Sequence, residues 1–173
     1  TPGQDVQVEY KTEHAELAAL LASGQADLAL LPQPFVTSAL AQNENLRIAL
    51  DLTELWDQAA QGKSVLTMGC LIVRKEFAQQ HPQALETLME EYGASAAYVT
   101  DEANLEQAAA LIEKNDIIQA AVSQKALPQC NIVFLTGEEM RAKAEGFYQV
   151  LMEADPAAVG GQLPGDDFYY QGQ

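Results

Sequence analysis

The sequence predicts a helix-rich α/β fold in which helices lie on both faces of a mixed sheet. Short apolar segments bounded by Gly or Pro alternate with segments in which apolar residues recur three and four positions apart, as strands and helices do. Asp27–Leu31 is short, mostly apolar and followed at once by a proline, as expected for a strand covered on both faces. At 173 residues, the chain has the length of one domain with a substantial core.

Five segments have the composition and the boundaries of strands. They are Val6–Tyr10, which alternates apolar and polar residues, Asp27–Leu31, Leu46–Leu50, Val65–Val73 and Asn131–Leu135. The longest strand signal is Val65–Val73. Gly69 in its middle indicates a bulge or the close approach of another group. In that case the strand would form a second wall of a ligand site. The alternative is that packing requires a glycine at this position.

Eight segments are predicted to be helical. They cover residues 13–23, 35–42, 52–60, 75–80, 82–100, 102–114, 117–125 and about 137–153. Thr12, Asp51 and Thr136 are placed to cap the first, the third and the last of these helices. Pro82 suits a first helical turn, and Asp101 marks a break between two helices.

The tail from Gly160 to Tyr170 has glycines, prolines and aromatic residues in place of a periodic pattern. We expect it to lie along the domain as an extended strap. Its aromatic residues, Phe168, Tyr169 and Tyr170, could stack on a ligand, but the favoured interpretation is that they anchor the tail to the domain surface.

The charge of the chain argues against a nucleic-acid partner. Nine Lys and Arg residues against 25 Asp and Glu give a formal net charge of −16, and the basic residues are scattered. An anionic small ligand is still compatible with this charge, because helix N-termini and a few donors set the local field. Apolar runs are too short for a membrane span or a secretory leader. The chain begins at Thr1 without an initiator Met, and we interpret it as a mature or cut piece.

No residue pattern indicates catalysis, a metal site or a cofactor. His14 and His81 have no Cys or carboxylate at metal-ligand spacing, and the sequence has no phosphate-binding loop, nucleophile elbow or dinucleotide fingerprint. Adjacent carboxylates such as Asp166 and Asp167 are interpreted as solvated surface charges. Cys70 and Cys130 could form a disulfide or be two buried free thiols, and the sequence leaves both alternatives open.

A binding site is predicted where Pro32 and Pro34 bracket Gln33. These residues form a stiff, polar-tipped bend at the carboxyl end of the Asp27–Leu31 strand, where open α/β sheets present ligands. The alternative is that the bend is plain architecture without a ligand.

Four stretches of the chain resemble the extracytoplasmic solute-binding subunits of ABC import systems, in the branch associated with nitrate, aliphatic sulfonates, taurine and thiamine pyrimidine precursors. The stretches are His14–Phe35, Cys70–Ala78 with His81-Pro82, Cys130–Phe134 and Gly160–Tyr170. The first is shared widely in that family, and the last is rarer and more telling. The four stretches are distributed along most of the chain, from His14 to Tyr170.

This resemblance implies a type II periplasmic-binding-protein fold, in which two α/β lobes close over a small molecule. It implies that the chain is the C-terminal half only. Residues 1–31 would be the last βαβ piece of lobe two with a crossing strand, and residues 32–173 the C-terminal part of lobe one with its tail.

The resemblance also implies which residues contact the ligand. They are Pro32, Gln33, Pro34 and Phe35 at the hinge, with Thr67, Met68 and Gly69 as further contacts near the cleft. Family members often carry Glu between the two prolines. The neutral amide of Gln33 could face an anionic or a neutral ligand, whereas a carboxylate would reject anions.

We therefore expect a catalytically inert binding component, either periplasmic or lipid-anchored at the cell surface, that binds a small molecule and docks on an ABC permease. One alternative is an enzyme of the same fold in thiamine-pyrimidine or menaquinone biosynthesis, although the clustered cysteines and catalytic histidine of the pyrimidine-forming type are missing from these residues. The other is a stand-alone interaction module, whose exposed apolar face is covered by a partner or by self-association.

Overall fold

The computed structural model describes residues 3–170, so the predicted cut end at Thr1 lies outside the described residues. Within that range the chain forms eight α-helices. They are α1 (His14–Ala22), α2 (Phe35–Gln42), α3 (Leu52–Ala60), α4 (Lys75–Gln80), α5 (Pro82–Thr100), α6 (Leu105–Lys114), α7 (Ala120–Ala126) and α8 (Gly137–Ala154). Short 3₁₀ turns cover Glu102–Asn104, Leu127–Gln129, Pro156–Val159 and Asp166–Phe168. The predicted helices are confirmed, although α6 and α7 each begin three residues later than predicted, with residues 102–104 forming a 3₁₀ turn.

The predicted α/β class with its mixed sheet is wrong for the described residues. Residues 3–170 contain no strand, and Val6 makes only an isolated bridge. In Val65–Val73 no backbone N–H donates to a described backbone carbonyl. Strand composition describes a preference for a pleated, half-buried surface, whereas a strand exists only where a neighbouring strand supplies the hydrogen-bond ladder. Such a ladder is missing here, and Met68 and Ile72 are 82% and 81% exposed.

The chain divides into two compact units, each of which is described separately, and the boundary between Ser95 and Ala96 lies within α5. The first comprises the chain up to Arg47 together with Ala96–Ile132. In it α1 packs on α2, α2 on α7 and α7 on α6. The buried apolar side chains of this unit are small, which lets helix backbones approach one another closely, and they are Ala18, Ala39, Ala108, Ala109 and Ala126. Asn43 Nδ2 donates to the Ala22 carbonyl at 3.0 Å and so ties the end of α1 to the end of α2.

The second unit comprises Ile48–Ser95 together with the chain from Val133 onward. Its structure around Trp56 depends on close backbone packing. The indole Nε1 of Trp56 donates to the buried Ser64 Oγ at 3.3 Å, and the ring lies 5.4 Å from the ring of Phe147. At Gly146 on α8, a Cβ atom would lie 2.2 Å from the Lys63 carbonyl oxygen, so only glycine permits this approach.

Only one of the three predicted helix caps is confirmed. The Asp51 carboxylate accepts from Thr53 N at 2.8 Å and from Glu54 N at 3.2 Å, so it caps α3 as predicted. Glu13, rather than Thr12, is the residue before α1, and its side chain makes no capping hydrogen bond. Thr136 precedes α8, but its side chain does not cap the helix.

The tail runs as a strap in the second unit, interrupted by the 3₁₀ turn Asp166–Phe168, and its aromatic anchor is confirmed. Tyr169 is only 6% exposed, and Phe168 packs edge-on against Tyr148 with ring centroids 6.2 Å apart. Two ion pairs hold the strap: Arg141 of α8 binds Asp166, and Lys75 of α4 binds Asp167.

The predicted lobe boundary after residue 31 stays a prediction. Among the helices of residues 3–170, none combines the length and the apolarity needed to cross a membrane.

Candidate functional site

The predicted hinge residues lie directly before and at the start of α2, in the first unit. The carbonyl oxygen of the Gln33 side chain accepts from Thr37 Oγ1 at 2.8 Å and from the Thr37 backbone N–H at 3.2 Å. A backbone N–H can only donate, so the atom of Gln33 that faces it is the amide oxygen. Thr37 is buried and Gln33 is half-buried. The side chain of Gln33 therefore caps the first turn of α2 and is held in one orientation.

This cap determines what Gln33 can offer a ligand. Its acceptor is engaged by Thr37, whereas its amide nitrogen makes no hydrogen bond to any residue in the described part of the chain. The side chain therefore presents two N–H donors and suits a ligand that carries acceptor oxygens. The sequence had left Gln33 free to donate or to accept.

The aromatic ring of Phe35 contacts the imidazole of His14. The ring centroids are 5.4 Å apart with an interplanar angle of 45°. Phe35 is the first residue of α2 and His14 is the first residue of α1, so the N-terminal ends of the two helices lie side by side. Helix N-termini carry a partial positive charge, which favours an anion. In α2 the backbone N–H groups of Val36 and Thr37 already donate to the Pro32 carbonyl and to the Gln33 side chain, so the helix contributes its dipole rather than these two donors. Glu16 in the first turn of α1 opposes this field in part, with Lys11 Nζ 3.6 Å from its carboxylate.

The second predicted group, Thr67, Met68 and Gly69, lies in the second unit within a segment that has no regular secondary structure. All three residues are exposed, and Thr67 Oγ1 is 3.5 Å from the Gly69 carbonyl oxygen. A Cβ atom on Gly69 would meet no atom within 4 Å. Among the described residues, neither the close approach nor the packing role predicted for Gly69 is therefore observed. A ligand-binding role for these residues stays a prediction.

The two cysteines are free thiols. Cys70 is exposed and Cys130 is half-buried, and burial raises the pKa of the Cys130 thiol. Of the two alternatives left open, the disulfide is not formed in this structure. The alternative of two buried thiols does not describe Cys70.

The titratable side chains near the strap form ion pairs. Residues 3–170 contain no group of three or more His, Cys, Asp or Glu side chains that could hold a metal ion. His14 and His81 are both exposed, and the Asp166-Asp167 pair anchors the strap. The ion pair with Lys75 lowers the pKa of Asp167.

The sequence analysis did not identify two residues that fix the predicted hinge and the strap. The first is Thr37, the third residue of α2, whose backbone N–H is one of the helix donors without a partner inside the helix; a polar Gln just before the predicted helix start was the available signal. The second is Arg141, which binds Glu145 through its Nε at 2.8 Å, binds Asp166, and lies 5.2 Å from the ring centroid of Tyr169. Nothing in the sequence indicated that Arg141 would meet the tail.

Comparison with known proteins gives one informative match. A solved structure described as an ABC transporter from Parabacteroides distasonis matches with a TM-score of 0.67 and 25% sequence identity. The match covers 94% of this chain and 55% of the other, so the chain spans about half the length of that protein. No protein-family model and no curated protein matches the sequence. The chain therefore has a transporter-related fold.

Proposed function

We propose that the chain is the solute-binding component of an ABC import system, or the C-terminal part of one, and that it performs no reaction itself. The observation that carries the proposal is the match of 94% of the chain to a structure described as an ABC transporter. The chain's resemblance to solute-binding subunits supports the choice of this component. In this proposal the protein acts outside the cytoplasm, and its partner is a permease.

The geometry around Gln33 favours a small anion as the ligand. The fixed amide offers two donors, and the N-terminal ends of α1 and α2 lie side by side next to it. Sulfonate and nitrate carry several acceptor oxygens and a negative charge, so both properties match this site. The ring of Phe35 adds an apolar surface. A pyrimidine-like heterocycle could stack on that ring, and we keep it as the second ligand class.

The test compares two variants that add the same charge. Gln33→Glu keeps a carbonyl-type oxygen for Thr37 but replaces the donor by a carboxylate. Gln124→Glu adds a carboxylate at an exposed position of α7 in the same unit. Calorimetric titrations with taurine, methanesulfonate, nitrate and a hydroxymethylpyrimidine give the affinities. They are carried out on this chain and on the protein encoded by its complete reading frame.

We expect at least one anion to bind, Gln33→Glu to weaken its binding at least 10-fold, and Gln124→Glu to leave the affinity within about twofold. A loss of 10-fold corresponds to about 1.4 kcal/mol, which is a modest requirement for replacing a donor by a like charge. Equal affinities of the two variants would contradict the role of Gln33. If neither protein binds any of the four compounds, the proposed function is wrong.

A further inference from the structure

The segment Val65–Val73 leaves its backbone unpaired in the second unit, and it is exposed from Thr67 onward. Within the described part of the chain, its backbone N–H groups donate to no backbone carbonyl, and its carbonyls accept from no backbone N–H. None of its residues has a positive φ, so the backbone is compatible with the strand conformation. An added strand can therefore pair with this segment without displacing a backbone hydrogen bond of the protein.

The side chains of the segment form an apolar surface that the second unit leaves uncovered. Met68 and Ile72 are almost fully exposed, and Leu71 is 56% exposed. When the segment pairs as a strand, Met68 and Ile72 lie on one face and Leu71 on the other. A strand laid beside the segment therefore covers apolar side chains on both faces, which removes them from water and favours association.

The ends of the segment carry charge of the opposite sign to that of the whole chain. The formal net charge of the chain is −16, yet positions 58–75 contain Lys63, Arg74 and Lys75 and no Asp or Glu. Lys75 is held by Asp167. The side chains of Lys63 and Arg74 make no ion pair within the described residues. Two cations are therefore available, one near each end of the apolar segment, and they favour acidic groups on a partner.

The unpaired backbone distinguishes a polypeptide from the other partners that an apolar, basic segment suggests. Insertion into a membrane would carry the N–H and C=O groups of the segment into hydrocarbon without partners, which is strongly unfavourable. A net charge of −16 also repels anionic lipid and opposes the approach of a second copy of the chain. A strand from another polypeptide supplies the missing hydrogen bonds as well as an apolar contact.

We propose that Val65–Val73 is a docking site for an extended strand of a partner polypeptide that is apolar in its centre and acidic at both ends. The strand pairs with the backbone of the segment and covers Met68 and Ile72, while its ends lie near Lys63 and Arg74. The backbone hydrogen bonds supply affinity, and the end charges select the partner. This inference does not depend on anion binding, because the residues of the anion site belong to the other unit.

The probe is a synthetic peptide as long as the segment, in which Val and Thr alternate between two Asp residues at each end. One control peptide has Lys in place of Asp. A second control keeps every side chain but carries N-methyl groups on two consecutive central residues, which block both edges of the strand. Binding is measured by calorimetric titration and by alkylation of Cys70, an exposed thiol within the segment, with mass spectrometry to resolve it from Cys130.

We expect the Asp-ended peptide to bind saturably and to slow the alkylation of Cys70. Each control peptide should bind at least 10-fold more weakly, because one has the wrong end charge and the other lacks the central donors. The proposal is overturned if the Asp-ended peptide does not bind, or if either control peptide binds as tightly.

Variants of the protein test the same two contributions. Leu71→Pro and Ile72→Pro each remove one backbone N–H, and neighbouring N–H groups point to opposite edges of a strand, so one of the two variants should lose at least 10-fold in affinity. Both should keep the melting temperature of the wild type, because these N–H groups donate to no described backbone carbonyl. Arg74→Gln should weaken the Asp-ended peptide severalfold. Lys125→Gln removes an exposed cation in the other unit and should leave the affinity within about twofold.

Two further measurements distinguish the alternative partners. The proposal is wrong if both proline variants bind the peptide like the wild type, or if phosphatidylglycerol vesicles protect Cys70 while the peptide does not. Sedimentation of the protein alone tests the second copy. We expect a monomer, and a dimer that dissociates in Ile72→Pro would assign the segment to self-association instead.

Discussion

Replacing Gly146 by Ala tests the close packing of α8 in the second unit. The new Cβ would lie 2.2 Å from the Lys63 carbonyl oxygen and 3.3 Å from Ser64 Cα, whereas ordinary contacts of a Cβ begin at 3.4 Å. The obstructing atom belongs to the backbone, so a side-chain rotation cannot relieve the clash. The helix or the Lys63-Ser64 segment must move by about 1 Å.

The expected loss follows from two opposing effects. Overpacking of this kind costs about 1–3 kcal/mol, and a backbone obstacle places Gly146→Ala at the upper end of that range. Ala is favoured over Gly within a helix by about 1 kcal/mol. The net destabilisation is therefore about 2 kcal/mol. For a chain of this length, that value lowers the melting temperature by about 4–8 °C.

The assay is thermal unfolding followed by the fluorescence of Trp56, the single tryptophan of the chain, whose indole donates to Ser64. Gly93→Ala is the matched control. Its Cβ would lie 2.9 Å from two ring atoms of Phe134, a side chain that can shift, so the gain in helix propensity should offset the clash. If Gly146→Ala is as stable as the wild type, the contact between α8 and Lys63 is refuted.

Three further predictions concern a cap, an ion pair and the hinge. Asp51→Ala removes the cap of α3 and should lower the free energy of unfolding by about 1 kcal/mol in urea titrations, and an unchanged midpoint would refute the cap. Because Lys75 lowers the pKa of Asp167, their ion pair is present at neutral pH and is lost as the pH falls through that lowered pKa. Lys75→Ala should therefore return the pKa of the Asp167 carboxyl toward its ordinary value, as measured by an NMR titration. Thr37→Val removes the hydroxyl donor to Gln33 and should destabilise the first unit by about 1 kcal/mol, and a gain in stability would contradict the hydrogen bond between Thr37 Oγ1 and Gln33.

The helices could be predicted from the sequence because their signals are local. Apolar spacing marked every helix, and Asp51 was recognised as a cap because the spacing of its backbone partners is fixed by the helix itself. Apart from the local caps predicted at Thr12 and Thr136, the failures lie where distant residues decide the outcome. Val65–Val73 has strand composition, yet a strand depends on a neighbour that composition does not specify.

The candidate site shows the same division between local and distant information. The bend at Pro32-Gln33-Pro34 was located from breakers alone, because prolines restrict the chain where they stand. The orientation of the Gln33 amide depends on Thr37 one helical turn away, and the sequence analysis did not consider this pairing. The meeting of Arg141 with Asp166 joins residues 25 positions apart, and such a pairing has no local pattern.

The most direct test of the proposed function observes the Gln33 side-chain amide while an anion is added. In a ¹⁵N-labelled protein, titration with taurine, methanesulfonate or nitrate should shift the Gln33 Nε2–H₂ resonances saturably, because these donors would bind the added oxygens. The exposed side-chain amide of Gln124 serves as the internal reference and should not move. If an anion binds while the Gln33 resonances stay fixed, or if none of the three moves them, the account of this site is contradicted.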